Sequence, residues 1–191
     1  MTVDKKREIL QAAQQSFSLF GYKATTMDHV AKASQVAKGT IYNFFKNKEE
    51  LFQAVIAELL QEMKDKAELV MDDDLPLKKN VHAALVELLE YRKSHQLTVK
   101  LVYEAKDKGT TAVREALDHI EELILNYLKE KIVKAIEKGD IRPCDPEITA
   151  FMMLKLYRAF ILDWEERHEP LAKEEMFQLF DEYVFKGLSP S

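Results

Sequence analysis

An all-α fold is predicted by three features of this 191-residue chain. Gly and Pro number only five each, so sharp turns are scarce. Runs rich in Ala, Leu, Glu and Lys favour helix throughout. Apolar residues recur three and four apart along nearly every segment, the period of a helix with one buried face. Apolar residues make up 47% and charged residues 32%, the balance of a folded chain able to bury a core.

Ile9, Leu10, Ala13, Phe17 and Phe20 mark the first amphipathic helix, and Gly21 closes it because glycine accepts a left-handed backbone. Thr25 or Thr26 serves as N-cap of a short second helix through Ala33, with Val30 and Ala31 facing inward. Ser34-Gln35-Val36 forms a turn, and a third helix runs from about Ala37 to Phe44. Lys46-Asn47-Lys48 separates it from a fourth that begins at Glu49 and continues to about Met71. Pro76, which lacks an amide donor, stops that pattern. Further helices are predicted over roughly 77–94, 97–107, 112–138, 146–168 and 173–187, with breaks at Lys108-Gly109, Lys138-Gly139-Asp140, Pro143 to Pro146 and Glu169-Pro170.

The formal charge of −5 argues against a nucleic-acid partner until its distribution is read. Residues 1–50 hold eight basic and five acidic groups, a net +3, whereas the remainder holds 20 basic and 28 acidic groups, a net −8. A basic head on an acidic body meets phosphate with one end only. Nowhere do eighteen apolar residues run together, and the N-terminal stretch is amphipathic, so neither a membrane span nor a signal peptide is expected. The lone Cys144 forms no internal disulfide, which fits a cytoplasmic setting.

Three blocks carry the most specific signal. They are Thr25-Thr26-Met27-Asp28-His29-Val30-Ala31, then Val36-Ala37-Lys38-Gly39-Thr40-Ile41-Tyr42-Asn43-Phe44-Phe45, then Lys46-Asn47-Lys48-Glu49-Glu50-Leu51-Phe52. In order and spacing they closely resemble the DNA-binding head of the TetR family of bacterial transcriptional repressors, over roughly residues 5–52. The resemblance implies a DNA-binding domain at 1–48, its motif at about 26–45, and a ligand-binding and dimerisation domain at 49–191.

The same residues make chemical sense on their own. A recognition helix needs small groups where it approaches base edges, and Gly39 and Thr40 supply them. Lys38 reaches a phosphate or a guanine edge, Tyr42 and Asn43 offer hydroxyl and amide donors, and Lys46 and Lys48 stand beside the expected backbone. Thr26 both caps its helix and donates to phosphate. Ile41 and Phe45 anchor the third helix to Val30, Val36 and Phe17. The bland alternatives are a cap alone for Thr26, solvated lysines at 46 and 48, and a rim position for Tyr42. Three departures from the family pattern stand out: Gln35 where Gly is common, Ala37 in place of a capping Ser or Thr, with Ser34 as a cap one turn earlier or no cap as the alternatives, and Phe44 where a Tyr is frequent, which removes a polar phosphate contact. Gln35 costs ~1 kcal/mol of backbone strain if its φ is positive.

For the body, the resemblance implies a homodimer on a palindromic double-stranded operator, released by a small organic inducer. Val113, Leu117, Ile120, Ile124, Leu128 and Ile132 form a core stripe. Phe151, Phe160, Trp164, Phe177, Phe180, Tyr183 and Val184 are expected in the dimer interface, where aromatic residues concentrate; burial within one subunit is the alternative. Tyr91, Tyr103, Glu104, Tyr157, Arg158 and Trp164 are candidate ligand-binding groups, and ordinary core packing accounts for them equally well. The five histidines and one cysteine show no metal-ligand spacing, so no metal or cofactor is expected. Lys38-Gly39-Thr40 lacks the upstream glycine of a P-loop, and no nucleophile motif surrounds any Ser or Cys, so catalysis is not expected. A protein-only helical adaptor, the remaining rival, would need no basic head.

Overall fold

A computed structural model describes residues 2–72, 74–94, 96–106 and 109–189, with side chains for 5–72, 74–90, 96–106 and 109–189. The described residues are helical with no strand. In chain order the helices are α1 Thr2–Ala24, α2 Met27–Ala33, α3 Lys38–Phe44, α4 Lys48–Val70, α5 Leu77–Ser94, α6 Leu97–Lys106, α7 Thr111–Lys138, α8 Pro146–Arg158, α9 Lys173–Phe180 and α10 Lys186–Leu188. Two helices expected to be continuous change pitch. A π-helical stretch follows α8 at Ala159–Trp164, and another, Asp181–Phe185, joins α9 to α10.

The chain divides into two compact units, one of residues 1–63 with 92–119 and one of 64–91 with 120–191. In the first, α1 to α3 and the start of α4 close around Ile9, Phe17, Val30, Ile41, Phe45, Leu51 and Phe52, and Leu97 and Leu101 of α6 are buried alongside. Phe17 and Phe52 meet edge to face at 5.1 Å, and the Tyr22 ring lies 4.6 Å from that of Phe52. Such aromatic pairs contribute about 0.5–1.5 kcal/mol beyond their burial.

The second unit has a core of Leu77, Val81, Leu85, Ile132, Met153, Met176, Phe180, Val184 and Phe185. Phe180 is only 1% exposed and Val184 is buried, so both belong to the subunit's own interior. The expectation that they face a partner fails for these two, because the helical period turns them inward. Phe177 is likewise engaged within the unit, stacked on His82 at 3.9 Å.

Helix ends follow elementary capping chemistry. Asp145 accepts from the amides of Glu147 and Ile148 at 2.9 and 3.0 Å, with Pro146 at the first helical position where no donor is needed. Asn47 accepts from Glu50 N at 2.8 Å and starts α4, while the Glu50 carboxylate accepts from Lys46 N at 2.8 Å. Asn80, buried, bridges the α4–α5 connection through Asp72 and Leu75.

Candidate nucleic-acid interface

The motif begins where α1 breaks. Gly21 adopts φ 81 and ψ 170, a region open to glycine, so α1 changes direction there and ends at Ala24 instead of stopping outright. Of the two candidate caps, Thr26 is the one that closes α2, since its hydroxyl oxygen accepts from His29 N at 3.2 Å. Thr25 is fully buried and turns back, its hydroxyl donating to Gly21 O at 2.8 Å.

The turn between α2 and α3 has a specific hydrogen-bond pattern. Val36 N donates to Ala31 O (3.1 Å) and Gln35 N to Lys32 O (3.2 Å), the paired bonds of a Schellman stop. That stop requires a left-handed residue after the cap, and Gln35 has φ 54. The positive φ places the expected backbone strain on Gln35. Ala37 precedes α3 with no side-chain cap, and Ser34 donates to Val30 O instead of capping α3.

Buried Ile41 and Phe45 tie α3 to the head's core. That leaves Lys38, Gly39, Tyr42 and Asn43 exposed, with Thr40 and Phe44 partly covered and Lys46 exposed beyond the helix end. A Cβ built on Gly39 would meet no atom within 4 Å among the described residues.

Two of the lysines have partners. Lys38 Nζ lies 2.8 Å from Asp28 of α2, whose carboxylate raises the lysine pKa by hydrogen bonding and charge. Lys48 donates to Tyr22 O at 2.9 Å and sits 4.3 Å above the Tyr22 ring. Burial lowers its pKa, opposed by the charge of Glu104. It braces the start of α4 against α1, and reaches a phosphate only by leaving that carbonyl. The roles of Asp28 and Tyr22 are not legible in the sequence, because their partners lie 10 and 26 residues away and no spacing rule links them.

The candidate ligand-binding residues are distributed over both units. Tyr103 and Glu104 belong to the first, where Tyr103 is exposed and Glu104 accepts from the amides of Tyr22 and Lys23. In the second, Tyr157 packs against the core, Arg158 pairs with Glu121, and Trp164 stacks on His168 at 3.8 Å. Burial raises the Glu121 pKa, but the hydrogen bonds and charges of Lys155, at 2.6 Å, and Arg158 together outweigh it and hold the carboxyl below its usual range. The Tyr91 side chain lies outside the described residues. Among the described residues no group of three or more His, Cys, Asp or Glu gathers as a metal site, and no helix is long and apolar enough to cross a membrane.

An exposed seven-residue helix, held by two apolar anchors behind a stop-and-turn from a capped partner helix, defines a helix-turn-helix protein of the all-α class. Comparisons name the family. Residues 9–55 match the model for bacterial regulatory proteins, tetR family. The chain is 56% identical over 189 residues to the uncharacterized HTH-type transcriptional regulator YhgD of Bacillus subtilis (strain 168), covering 99% of each. Among solved structures, Salmonella enterica GusR superposes with a TM-score of 0.77 at 22% identity, covering 95% of this chain and 96% of that one. The flavonoid-responsive regulator FrrA gives 0.73 at 24%, covering 98% of each. The chain belongs to the TetR family of helix-turn-helix transcriptional regulators, a family of regulators and not of enzymes.

Proposed function

We propose that this regulator is a ligand-responsive repressor that binds a palindromic DNA operator as a homodimer and is released by a small organic inducer. The head comprises residues 1–48 and the ligand-binding and dimerisation body 49–191. Lys38, Gly39, Thr40, Tyr42 and Asn43 enter the major groove, and Thr26, Phe44, Lys46 and Lys48 flank it at the backbone. Gly39 carries this reading. Glycine inside a helix costs about 0.5–1 kcal/mol relative to alanine. No described neighbour would meet a side chain there, so the space beside Gly39 is open to an approach from outside the chain. Close approach to DNA supplies a reason for the glycine.

Dimerisation is supported by the outer face of α8. Ile148, Phe151 and Met152, spaced three and four apart, are 59%, 47% and 56% exposed, and Tyr183 is 68% exposed. Large apolar side chains gathered on one helix face are what a partner subunit covers. With Phe160 and Trp164 they form the proposed interface, which leaves out Phe177, Phe180 and Val184 because each is engaged within its own subunit. A two-fold dimer sets two heads about 34 Å apart, one turn of DNA. An organic inducer is supported by the name of FrrA, a flavonoid-responsive regulator. The protein acts in the cytoplasm, where its DNA is.

Fluorescence anisotropy on a duplex recovered from a randomised pool, against a scrambled duplex, tests the DNA contacts. Lys46→Ala lowers the salt slope by about one on both duplexes, whereas Thr40→Val weakens the selected duplex alone. Equal loss on both for Thr40→Val overturns the docking. Sedimentation of Phe151→Asp tests the dimer, and a folded wild type that is monomeric at micromolar concentration refutes it.

A further inference from the structure

We infer that Glu104 is a positioning residue for DNA binding, its carboxylate clamping the break in α1 that sets the entry to the helix-turn-helix motif. The inference rests on the reading that the head binds DNA.

Four backbone groups at this break have named partners. Tyr22 N donates to Glu104 Oε2 at 2.7 Å and Lys23 N to Oε1 at 2.9 Å, from a side chain 81 and 82 residues away. Gly21 O accepts from the buried Thr25 hydroxyl at 2.8 Å, and Tyr22 O accepts from Lys48 at 2.9 Å. Three helices thus meet at one peptide segment: α1 supplies it, α4 donates to its carbonyl and α6 accepts from its amides.

Gly21 is what admits the carboxylate. Its φ of 81 turns the following amides toward α6, and a Cβ at this position would stand 2.5 Å from Glu104 Oε2. The two oxygens take separate amides, so a carboxylate fits and a carboxamide does not, since one N–H would meet an NH2 group. Hydrogen bonds to a charged acceptor are about twice as strong as neutral ones.

What the clamp orients is close at hand. Only Thr25 and Thr26 separate α1 from α2, the first buried and the second capping α2. The Schellman stop then passes the placement of α2 to α3. Glu104 makes no DNA contact in this arrangement; it fixes the peptide from which the DNA-reading helices depart.

The test uses full-length protein, the pool-selected duplex and the isosteric Glu104→Gln variant. Glu104→Gln stays folded and keeps the wild-type salt slope, because no phosphate contact is removed, yet its Kd for the selected duplex rises about tenfold or more. Tyr22 and Lys23 amide protons, shifted downfield in the wild type by the carboxylate, move upfield in the variant. Glu104→Asp, which keeps both acceptors, recovers part of the affinity. Wild-type affinity in folded Glu104→Gln, or a salt slope lower by one, overturns the inference. If Glu104→Gln does not fold, the wild type still decides: fast exchange at the Tyr22 and Lys23 amides refutes the clamp, and slow exchange with downfield shifts supports it. A wild type that selects no duplex at all overturns the DNA reading itself, a separate outcome from these.

Discussion

The turn after α2 in the head and the turn after α7 in the body share one hydrogen-bond design but differ in the residue placed at its demanding position. After α7, Asp140 N donates to Ala135 O and Gly139 N to Ile136 O, and Gly139 has φ 75. After α2 the same pair of bonds surrounds Gln35 at φ 54. The next helix start differs in the same direction: α8 has the Asp145 cap and Pro146, while α3 starts at Ala37 without a side-chain acceptor. The α7–α8 connection meets the local rules for stopping and starting helices and the α2–α3 connection does not, while α9, which starts at Ala172 without a side-chain cap, shares the departure of α3. On these counts backbone preference supports the α2–α3 connection less than the α7–α8 one, and the buried anchors Ile41 and Phe45 compensate.

The largest effect that sharpens this contrast is Gly139→Gln, which places in the body the residue the head tolerates. Without a Cβ contact in the way, the loss is backbone strain alone, about 1–2 kcal/mol in a urea melt. Gln35→Gly, the reciprocal change, raises stability by up to about 1 kcal/mol. A loss on Gln35→Gly would break the comparison, since it would mean the Gln side chain repays its strain.

The caps form the second pair. Asp145→Ala removes an acceptor serving two amides and costs about 1 kcal/mol, and Ala37→Ser adds one to α3 and gains about 0.5–1 kcal/mol. Hydrogen exchange locates the gain: amides of residues 38–40 slow in Ala37→Ser. Uniform slowing across the chain would point to a different cause.

A stability effect as small as that of Ala37→Ser carries the most functional content. Gly39→Ala stabilises α3 by about 0.5–1 kcal/mol because the added methyl meets no described atom and the backbone loses freedom in the unfolded chain. The same variant weakens binding to the selected duplex. A variant that is more stable and binds DNA as tightly as the wild type would remove the functional reason for glycine here.

Much of the head was legible because its signals are local. Periodicity placed Ile41 and Phe45 inward, and the spacing of the Thr26, Gly39 and Lys48 blocks carried the family. Where two neighbours offered the same chemistry, as Thr25 and Thr26 did, nothing local separated them. The choice came from Ser16 O and Gly21 O, which receive the Thr25 hydroxyl in the interior. In the body, composition alone could not divide aromatic residues between core and outer face: Phe180 and Tyr183 sit three apart, one buried and one exposed. The pitch change at Asp181–Phe185 also shifts the helical period on which such an assignment depends.

By itself the sequence determined the all-α class, the order of the helices to within a few residues, and the family. Those follow from interactions spanning three or four residues, from backbone preferences, and from a motif compact enough to be read as a string. Only the tertiary structure decided that Glu104 clamps α1, that Lys48 braces α4 against Tyr22, and that Lys38 pairs with Asp28. Each of these joins groups on different helices, 81, 26 and 10 residues apart. A charged side chain has no sequence-encoded partner until folding brings one within hydrogen-bond reach.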